Sequence, residues 1–369
     1  MNSLYIGLMS GTSMDGIDAA LVEFGERSCQ VVATGTHEYP EELSTALMGA
    51  SREPQRCAID TIGYLDNWVG EAFRDAALEL ITSSKTDAAQ IVAIGSHGQT
   101  LRHQPRVERP YTLQIGDPNI IVAGTGITTV ADFRRRDLAL GGEGAPLLPP
   151  FHEWLFSDSK INRVVLNIGG IANITVLPAG GGEVTGFDTG PGNTLLDAWT
   201  QVNKGEKFDR DGVWARSGNI SSELLKLLLR DPYFAEPPPK STGFEYFNLM
   251  WLRQALSEVG DVAEADVQAT LCALTARSIA DAIGNYAPGT SELLICGGGI
   301  DNTELIRWIA QALPDVQVHS TGEFGLEPDW VEAAAFAWLA KRCLDGEPGN
   351  LPGVTGAAHE SKLGGIYRA

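Results

Sequence analysis

Positive charge is scarce in this sequence: 27 lysines and arginines stand against 47 aspartates and glutamates, a formal net charge of −20 over 369 residues. Such a chain repels phosphate backbones and anionic lipid headgroups, so binding to nucleic acid or membrane would require a local basic patch. The one basic run is Arg134-Arg135-Arg136. Cysteine is also sparse. Cys29, Cys57, Cys272, Cys296 and Cys343 are scattered, odd in number and never paired at metal-ligand spacing, which excludes a zinc site or disulfide framework and leaves reduced core residues. Long hydrophobic runs are missing too. The apolar stretch Leu4 to Met9 gives way at once to Ser10-Gly11-Thr12-Ser13, and no uncharged segment approaches bilayer-spanning length, so the expectation is a protein of the reducing cytoplasm. No Gly-x-x-x-x-Gly-Lys-Ser/Thr loop occurs, nor a strand-borne Gly-x-Gly-x-x-Gly, nor HExxH among the six histidines. That argues against a P-loop enzyme, a dinucleotide site and a zinc hydrolase.

Glycine, by contrast, is abundant, with 42 residues, as expected where tight turns and ligand-approaching loops are numerous. The length exceeds what one core usually supports, so two lobes are expected. Leu4 to Met9 reads as a strand, Ser10 to Gly16 as a polar turn and Ile17 to Phe24 as the returning strand. About 160 residues on, Arg163 to Ile168, Gly169-Gly170 and Ile171 to Leu177 repeat that strand, glycine turn, strand grammar. Asp60 to Ser83 has helical periodicity and Ile91 to Ile94 reads as a buried strand ending in Gly95-Ser96-His97-Gly98-Gln99-Thr100. The alternation predicts an α/β protein whose two lobes each open with a hairpin turned toward a shared cleft. Gly141 to Gly144 with Pro146, Pro149 and Pro150 mark a hinge, and Glu236-Pro237-Pro238-Pro239 a rigid surface loop. The expected first lobe is 1–135 plus about 350–369, and the second 136–349.

Several segments have the residue types that phosphate and sugar chemistry needs. Gly11-Thr12-Ser13-Met14-Asp15-Gly16-Ile17-Asp18 combines small residues, hydroxyls and two carboxylates, which suits amides around phosphate with a carboxylate near a metal. The same composition also suits an ordinary hairpin turn. Leu293 to Cys296 followed by Gly297-Gly298-Gly299 is a buried strand meeting side-chain-free backbone, which admits a flat nucleoside ring or serves as a strand-to-helix turn. Asp301 and Glu304 have the spacing of a helix capping box. Phe187-Asp188-Thr189-Gly190-Pro191-Gly192-Asn193 puts a carboxylate at a strand end before a helix starting near Thr194, a place for a general base or for a turn aspartate. Arg134 to Arg136 suit a carboxylate or phosphate on a substrate, or ion pairs with Asp132 and Asp137. Glu332 lies on the apolar face of the helix Asp329 to Cys343, beside Ala335, Phe336 and Leu339, and needs a partner there, a sugar hydroxyl or a structural one. His97 is the one histidine placed near a substrate.

Taken in order, the two glycine-turn hairpins, the Asp188 loop and Gly297-Gly298-Gly299 resemble the phosphate and adenosine elements of the sugar kinase, Hsp70 and actin superfamily. More closely, the chain resembles the anhydro-N-acetylmuramic acid kinases. The segments that carry this are MSGTSMDGID (9–18), IGSHGQT (94–100), VADFRRRD (130–137), GAPL (144–147), NIGGIANIT (167–175), FDTGPGN (187–193), CGGG (296–299), PDWVEAAAFAWLA (328–340) and LPGVTGA (351–357). Glu143 departs from that pattern, which more often has glutamine there.

The resemblance implies two ribonuclease-H-like domains around an interdomain cleft. It implies conversion of 1,6-anhydro-N-acetylmuramic acid, ATP and water into N-acetylmuramic acid 6-phosphate and ADP, in peptidoglycan recycling. It further implies Asp188 as the base that takes a proton from the attacking water, and Gln99, Thr100, Arg134, Arg136 and Glu332 as sugar-binding residues. Gly11 to Asp18, Asn167, Gly169, Gly170, Asn173 and Gly297 to Gly299 would line the nucleotide, with Asp15 or Asp18 near magnesium. Lobe closure and a homodimer are likewise implied. Three other readings compete: a kinase for another anhydrosugar such as levoglucosan, an ATP-switched binding protein of the actin or Hsp70 kind, and a glycosidase built on Asp188 and Glu332.

Overall fold

A computed structural model describes residues 3–11 and 13–369. The chain divides into two compact units, Met1–Leu155 with Trp330–Ala369, and Phe156–Asp329.

In the first unit, β1 (Ser3–Ser10), β2 (Gly16–Phe24) and β3 (Cys29–Glu38) form an antiparallel meander. Next to β1 on its other side lies β4 (Ile91–Gln104), parallel to it, followed by β6 (Thr129–Ala131), also parallel, and β12 (Gly365–Tyr367), antiparallel. β5 (Tyr111–Ile115) pairs with the far half of β4. The helix Ile59–Ser84 buries Leu65, Val69, Phe73, Ala76 and Leu80 at helical spacing, and these join Ile6, Leu8, Leu21 and Ile94 in one core. The opposite face takes the helix Val331–Asp345. A Cβ on Gly7 would stand 1.7 Å from the Ala333 carbonyl oxygen, and one on Gly95 would stand 2.0 Å from that of Phe336. Two glycines on neighbouring central strands therefore let an alanine-rich helix lie directly on the sheet.

The second unit repeats the plan. β7 (Arg163–Ile168), β8 (Ile171–Leu177) and β9 (Thr185–Pro191) form the meander, and β10 (Glu292–Cys296) and β11 (Gln317–Ser320) continue it in parallel beside β7, in the order β11-β10-β7-β8-β9. Val164, Leu166, Ile174, Leu293 and Ile295 pack with Leu271 and Ile279 of the helix Glu264–Tyr286. Each sheet thus has three antiparallel strands with two parallel strands added beside the first, the ribonuclease-H-like arrangement.

The units divide at 155/156 and 329/330, whereas the sequence reading divided the chain near 135 and 350. Residues 136–155 are held in the first unit by side chains that proline and glycine punctuation does not reveal. Buried Asp137 accepts from Asn350 Nδ2 and Thr355 Oγ1, both at 2.8 Å, and Trp154 Nε1 donates to the Glu26 carbonyl oxygen at 3.1 Å. The Gly141 to Pro150 stretch is accordingly internal to one unit. Strand β4 also runs on through Gln104, so Gly95 to Thr100 lie within it and not past its end, because β5 supplies a further partner. All five cysteines are free, but Cys29 and Cys57 are only half-buried.

Candidate active site

In the first unit the turn between β1 and β2 is held from inside. Ser10 Oγ lies 2.7 Å from both the Gly16 carbonyl oxygen and Gln99 Oε1, while Gln99 Nε2 donates to the Gly11 carbonyl oxygen at 3.1 Å. Gln99 is fully buried and braces the turn from β4. Met14 (φ 54°) and Ile17 are buried in the core, whereas Gly11 and Gly16 are half-buried and Ser13 and Asp15 exposed. Ser13 Oγ donates to Asp15 Oδ1 at 2.5 Å, and Thr36 Oγ1 to Asp18 Oδ1 at 2.9 Å. Thr12 lies outside the described residues. Among the described turn residues, Ser13 and Asp15 are exposed and Asp18 is half-buried, while the Met14 and Ile17 side chains face the core.

Arg134 is anchored. Its Nε and Nη2 reach His97 Nε2 at 3.1 and 2.9 Å, and Nη1 donates to the Gly144 carbonyl oxygen at 2.8 Å. His97 Nδ1 donates to the Gly98 carbonyl oxygen at 2.8 Å, the tautomer that leaves Nε2 an acceptor. Burial first, and the Arg134 charge second, hold the His97 pKa well below its ordinary value, so the ring is neutral. Arg136 is exposed and Arg135 pairs with Asp132 at 3.5 Å. Thr100 Oγ1 accepts from Gln114 Nε2 at 3.1 Å. Glu332 is half-buried on the first turn of the helix Val331–Asp345, whose next eight residues are all buried.

In the second unit the β7–β8 turn is two residues, and its carbonyls are tied down: Gly192 and Thr194 amides donate to Gly170 at 2.9 and 3.0 Å, and Asn193 to Gly169 at 2.9 Å. Asn167 and Asn173 face each other across it in register. Asp188 sits inside β9 opposite Asn173 and is half-buried. Its position is fixed by contacts from a segment well apart in sequence. Its amide donates to the Lys240 carbonyl oxygen at 3.1 Å, Tyr233 Oη donates to its carbonyl oxygen at 2.7 Å, and the Thr242 amide donates to its Oδ2 at 3.0 Å. Gly190 (φ 149°) follows two residues later, and the helix Thr194–Lys204 starts where the sequence places it.

Gly297 (φ 78°) and Gly299 are required by packing, since a Cβ on the first would stand 2.3 Å from Asn167 Oδ1 and one on the second 2.2 Å from Ile168 Cγ2. Gly298 is exposed and has nothing within 4 Å of such an atom, so it is the open one of the three. The following helix, Thr303–Ala312, is capped by Asn302, whose Oδ1 accepts from the Leu305 amide at 3.0 Å. The Asp301–Glu304 capping box is therefore not formed: Glu304 is turned toward Arg216 (3.3 Å) and Arg307 (3.0 Å).

Tyr233, Lys240 and Thr242 were absent from the sequence reading. Asp231 pins this segment, accepting from Tyr246 Oη and Trp251 Nε1, both at 2.8 Å, while the rings of Tyr233, Phe247 and Trp251 pack edge to face. The one available signal was a lone lysine after three prolines, which by itself says only that the chain is stiff there.

Among the described residues no group of three or more His, Cys, Asp or Glu is arranged to hold a metal ion, and no helix is long and apolar enough to cross a membrane. The chain is similar to the anhydro-N-acetylmuramic acid kinase of Shewanella pealeana, 50% identical over 369 residues that cover 100% of this chain and 99% of that one. It is also similar to that of Shewanella amazonensis, 52% identical over 367 residues covering 100% and 99%. Among solved structures it is similar to component A of the Acidaminococcus fermentans (R)-2-hydroxyglutaryl-CoA dehydratase, with 11% identity, coverage of 91% and 96%, and a TM-score of 0.44. The family described as anhydro-N-acetylmuramic acid kinase matches residues 3–369, and with relatives half identical over their whole length the chain belongs to that family.

Proposed function

We propose that this chain uses ATP and water to open 1,6-anhydro-N-acetylmuramic acid and to phosphorylate its 6-oxygen, giving N-acetylmuramic acid 6-phosphate in peptidoglycan recycling. The kinase activity is that of the family, and the observation that carries it is the match over the whole chain. The residue roles go further and are part of the proposal. Asp188 takes the proton from water as it attacks the anomeric carbon, and the freed 6-oxygen accepts the γ-phosphoryl group. Its fixed backbone and the Thr242 amide on Oδ2 favour a carboxylate with one defined orientation. Glu332, Thr100 and Arg136 bind the sugar, and the exposed guanidinium of Arg136 suits its lactyl carboxylate. Arg134 and Gln99 act from behind, the first on the Gly144 loop and the second on the phosphate turn. Gly11 and Ser13 to Asp18 with Asn167, Gly169, Gly170 and Asn173 face phosphate, and Gly298 leaves room for the nucleoside.

Magnesium takes oxygen ligands and commonly keeps waters, using one or two carboxylates alongside the phosphates. Exposed Asp15 and half-buried Asp18 supply such oxygens at the first turn, a donor set that fits an ion carried mainly by ATP. When bound, the ion offsets charge on the phosphates. A cytoplasmic location, where ATP is supplied, and a homodimer complete the proposal.

The test is incubation of the purified protein with magnesium, ATP and the anhydrosugar in oxygen-18 water, followed by mass spectrometry. The expected product is heavier than the substrate by one phosphoryl group and one labelled water. Release of ADP without that product would redirect the assignment to another anhydrosugar, and a hydrated sugar formed without ATP would make the chain a glycosidase.

A further inference from the structure

Strand β4 has one extra residue against β1: Leu8 is in register with Ser96, but Ser10 with Gln99. Gly98 (φ 72°) sits in this bulge, where a Cβ would stand 2.6 Å from the Ile115 carbonyl oxygen. A bulge re-aims the side chains beside it, and here the Gln99 amide lies against Ser10. Both side chains are closed to solvent, Gln99 at 0% and Ser10 at 2% exposed. The orientation of the amide is set by its surroundings, since Nε2 faces two acceptors, the Gly11 carbonyl oxygen at 3.1 Å and that of Thr100 at 3.4 Å. One buried amide therefore links the glycine turn to the next residue of β4.

The link has two arrangements. Ser10 Oγ has a single proton and two acceptors at 2.7 Å, Gln99 Oε1 and the Gly16 carbonyl oxygen, so it serves one of them at a time. Tyr39, whose amide donates to the Asp15 carbonyl oxygen of the same turn at 2.9 Å, has its own hydroxyl buried without a hydrogen-bond partner, which leaves a donor unspent. Members of a buried network strengthen one another, and an element with two discrete arrangements is what coupling between sites requires. At the other end Thr100 is half-buried, and its Oγ1 accepts from Gln114 Nε2 at 3.1 Å, which leaves its own proton to donate.

We propose that Gln99 is the positioning residue that couples nucleotide to sugar, its amide joining the state of the phosphate turn to the placement of Thr100. This rests on the reading of that turn as phosphate-binding and of Thr100 as sugar-binding. Phosphate on the turn favours one arrangement of the Ser10 proton, Gln99 follows, and Thr100 is presented to the sugar. By linkage, sugar at Thr100 favours the nucleotide by the same factor.

The experiment is calorimetry of anhydrosugar binding with and without magnesium and the non-hydrolysable imido analogue of ATP, on the full-length wild type, Gln99→Met and Ser10→Ala. The readout is the ratio of the two sugar Kd values, in which a uniform loss of affinity from a merely structural defect cancels. Wild type is expected to bind the sugar at least about fivefold more tightly with the analogue present. Gln99→Met keeps the length of the side chain without its amide, and is expected to bring the ratio to within about twofold of one. Ser10→Ala, which keeps the link to Gly11, is expected to bring it part of the way, and carries the test by itself should Gln99→Met fail to fold. A wild-type ratio of one, or the wild-type ratio retained in folded Gln99→Met, overturns the coupling. The wild-type ratio retained in Ser10→Ala overturns the Ser10 proton as its switch. Wild type that releases no ADP in response to the anhydrosugar would sink the kinase reading itself, whereas turnover with uncoupled binding sinks this inference alone.

Discussion

The two units solve one problem on one sheet plan in different ways. Both place a glycine turn between the first two strands of a three-stranded meander. In the first unit the turn spans five residues and is braced by a buried glutamine from the neighbouring parallel strand, and the nearby cation, Arg134, is held by a neutral histidine. In the second the turn is two residues, its carbonyls are tied to the Gly192–Thr194 backbone, and the nearby cation, Lys240, is held by a carbonyl and two rings. A shared topology thus sets where turns fall, while the side chains packed behind each turn decide what it can do.

The largest expected effect separates the units by chemistry. Asp188→Asn in the second unit is expected to lower turnover by about 10²- to 10⁴-fold while leaving ATP binding intact by calorimetry, as loss of a general base does. Near-normal turnover would remove Asp188 from that role. A smaller effect separates structural glycines from open ones. Gly7→Ala drives a Cβ into the backbone of Ala333, and overpacking of this kind costs about 1–3 kcal/mol or more, seen as a lowered Tm. Gly298→Ala meets nothing, so Tm should stay put while ATP binding weakens if the nucleoside packs there. Equal Tm losses in the two variants would contradict the close seating of the helix on β1.

A further contrast is one of pH, and its sign differs between the units. His97, His103 and His152 all lie in the first unit with pKa values lowered chiefly by burial, that of His103 to about 4 and that of His152 to about 3. Between those values and the unfolded value of about 6.5, the unfolded chain binds the extra protons, so stability is lost as pH falls, by ~2 kcal/mol each at pH 5 for His103 and His152. In the second unit burial, and then Asp209, raise Asp197 to about 7, so there the folded state binds the extra proton and gains as pH falls from 7 toward the ordinary carboxylate range. Hydrogen exchange, corrected for intrinsic rates, should show the first unit losing protection from pH 6.5 to 5 and the second gaining it. A uniform loss in both would break the comparison.

Much of this was legible in one dimension. The strands Arg163–Ile168 and Ile171–Leu177, their two-glycine turn and the start of the helix at Thr194 follow from apolar runs and turn residues, which are local signals. So does the repeat of the glycine hairpin, and with it two lobes. The boundaries did not follow, because they depend on Asp137 reaching Asn350 and Thr355 across more than 200 residues of chain. Nor did the difference between Gln99 as a brace and Thr100 as a half-buried neighbour, since adjacent strand residues point to opposite faces and only the assembled sheet says which face is core.

The α/β class, the positions of the glycine turns and the motifs that mark the family are written in residue type and spacing over a few neighbours, so they can be read without the fold. Tertiary structure alone decided which of the three glycines after β10 is open, that Arg134 is anchored while Arg136 is exposed, and that Tyr233, Lys240 and Thr242 converge on Asp188. These depend on contacts between residues well apart in sequence, 37 positions for Arg134 with His97 and 45 and 54 for Asp188 with Tyr233 and Thr242, made when the sheets and helices close their cores and the few polar groups left inside must find partners.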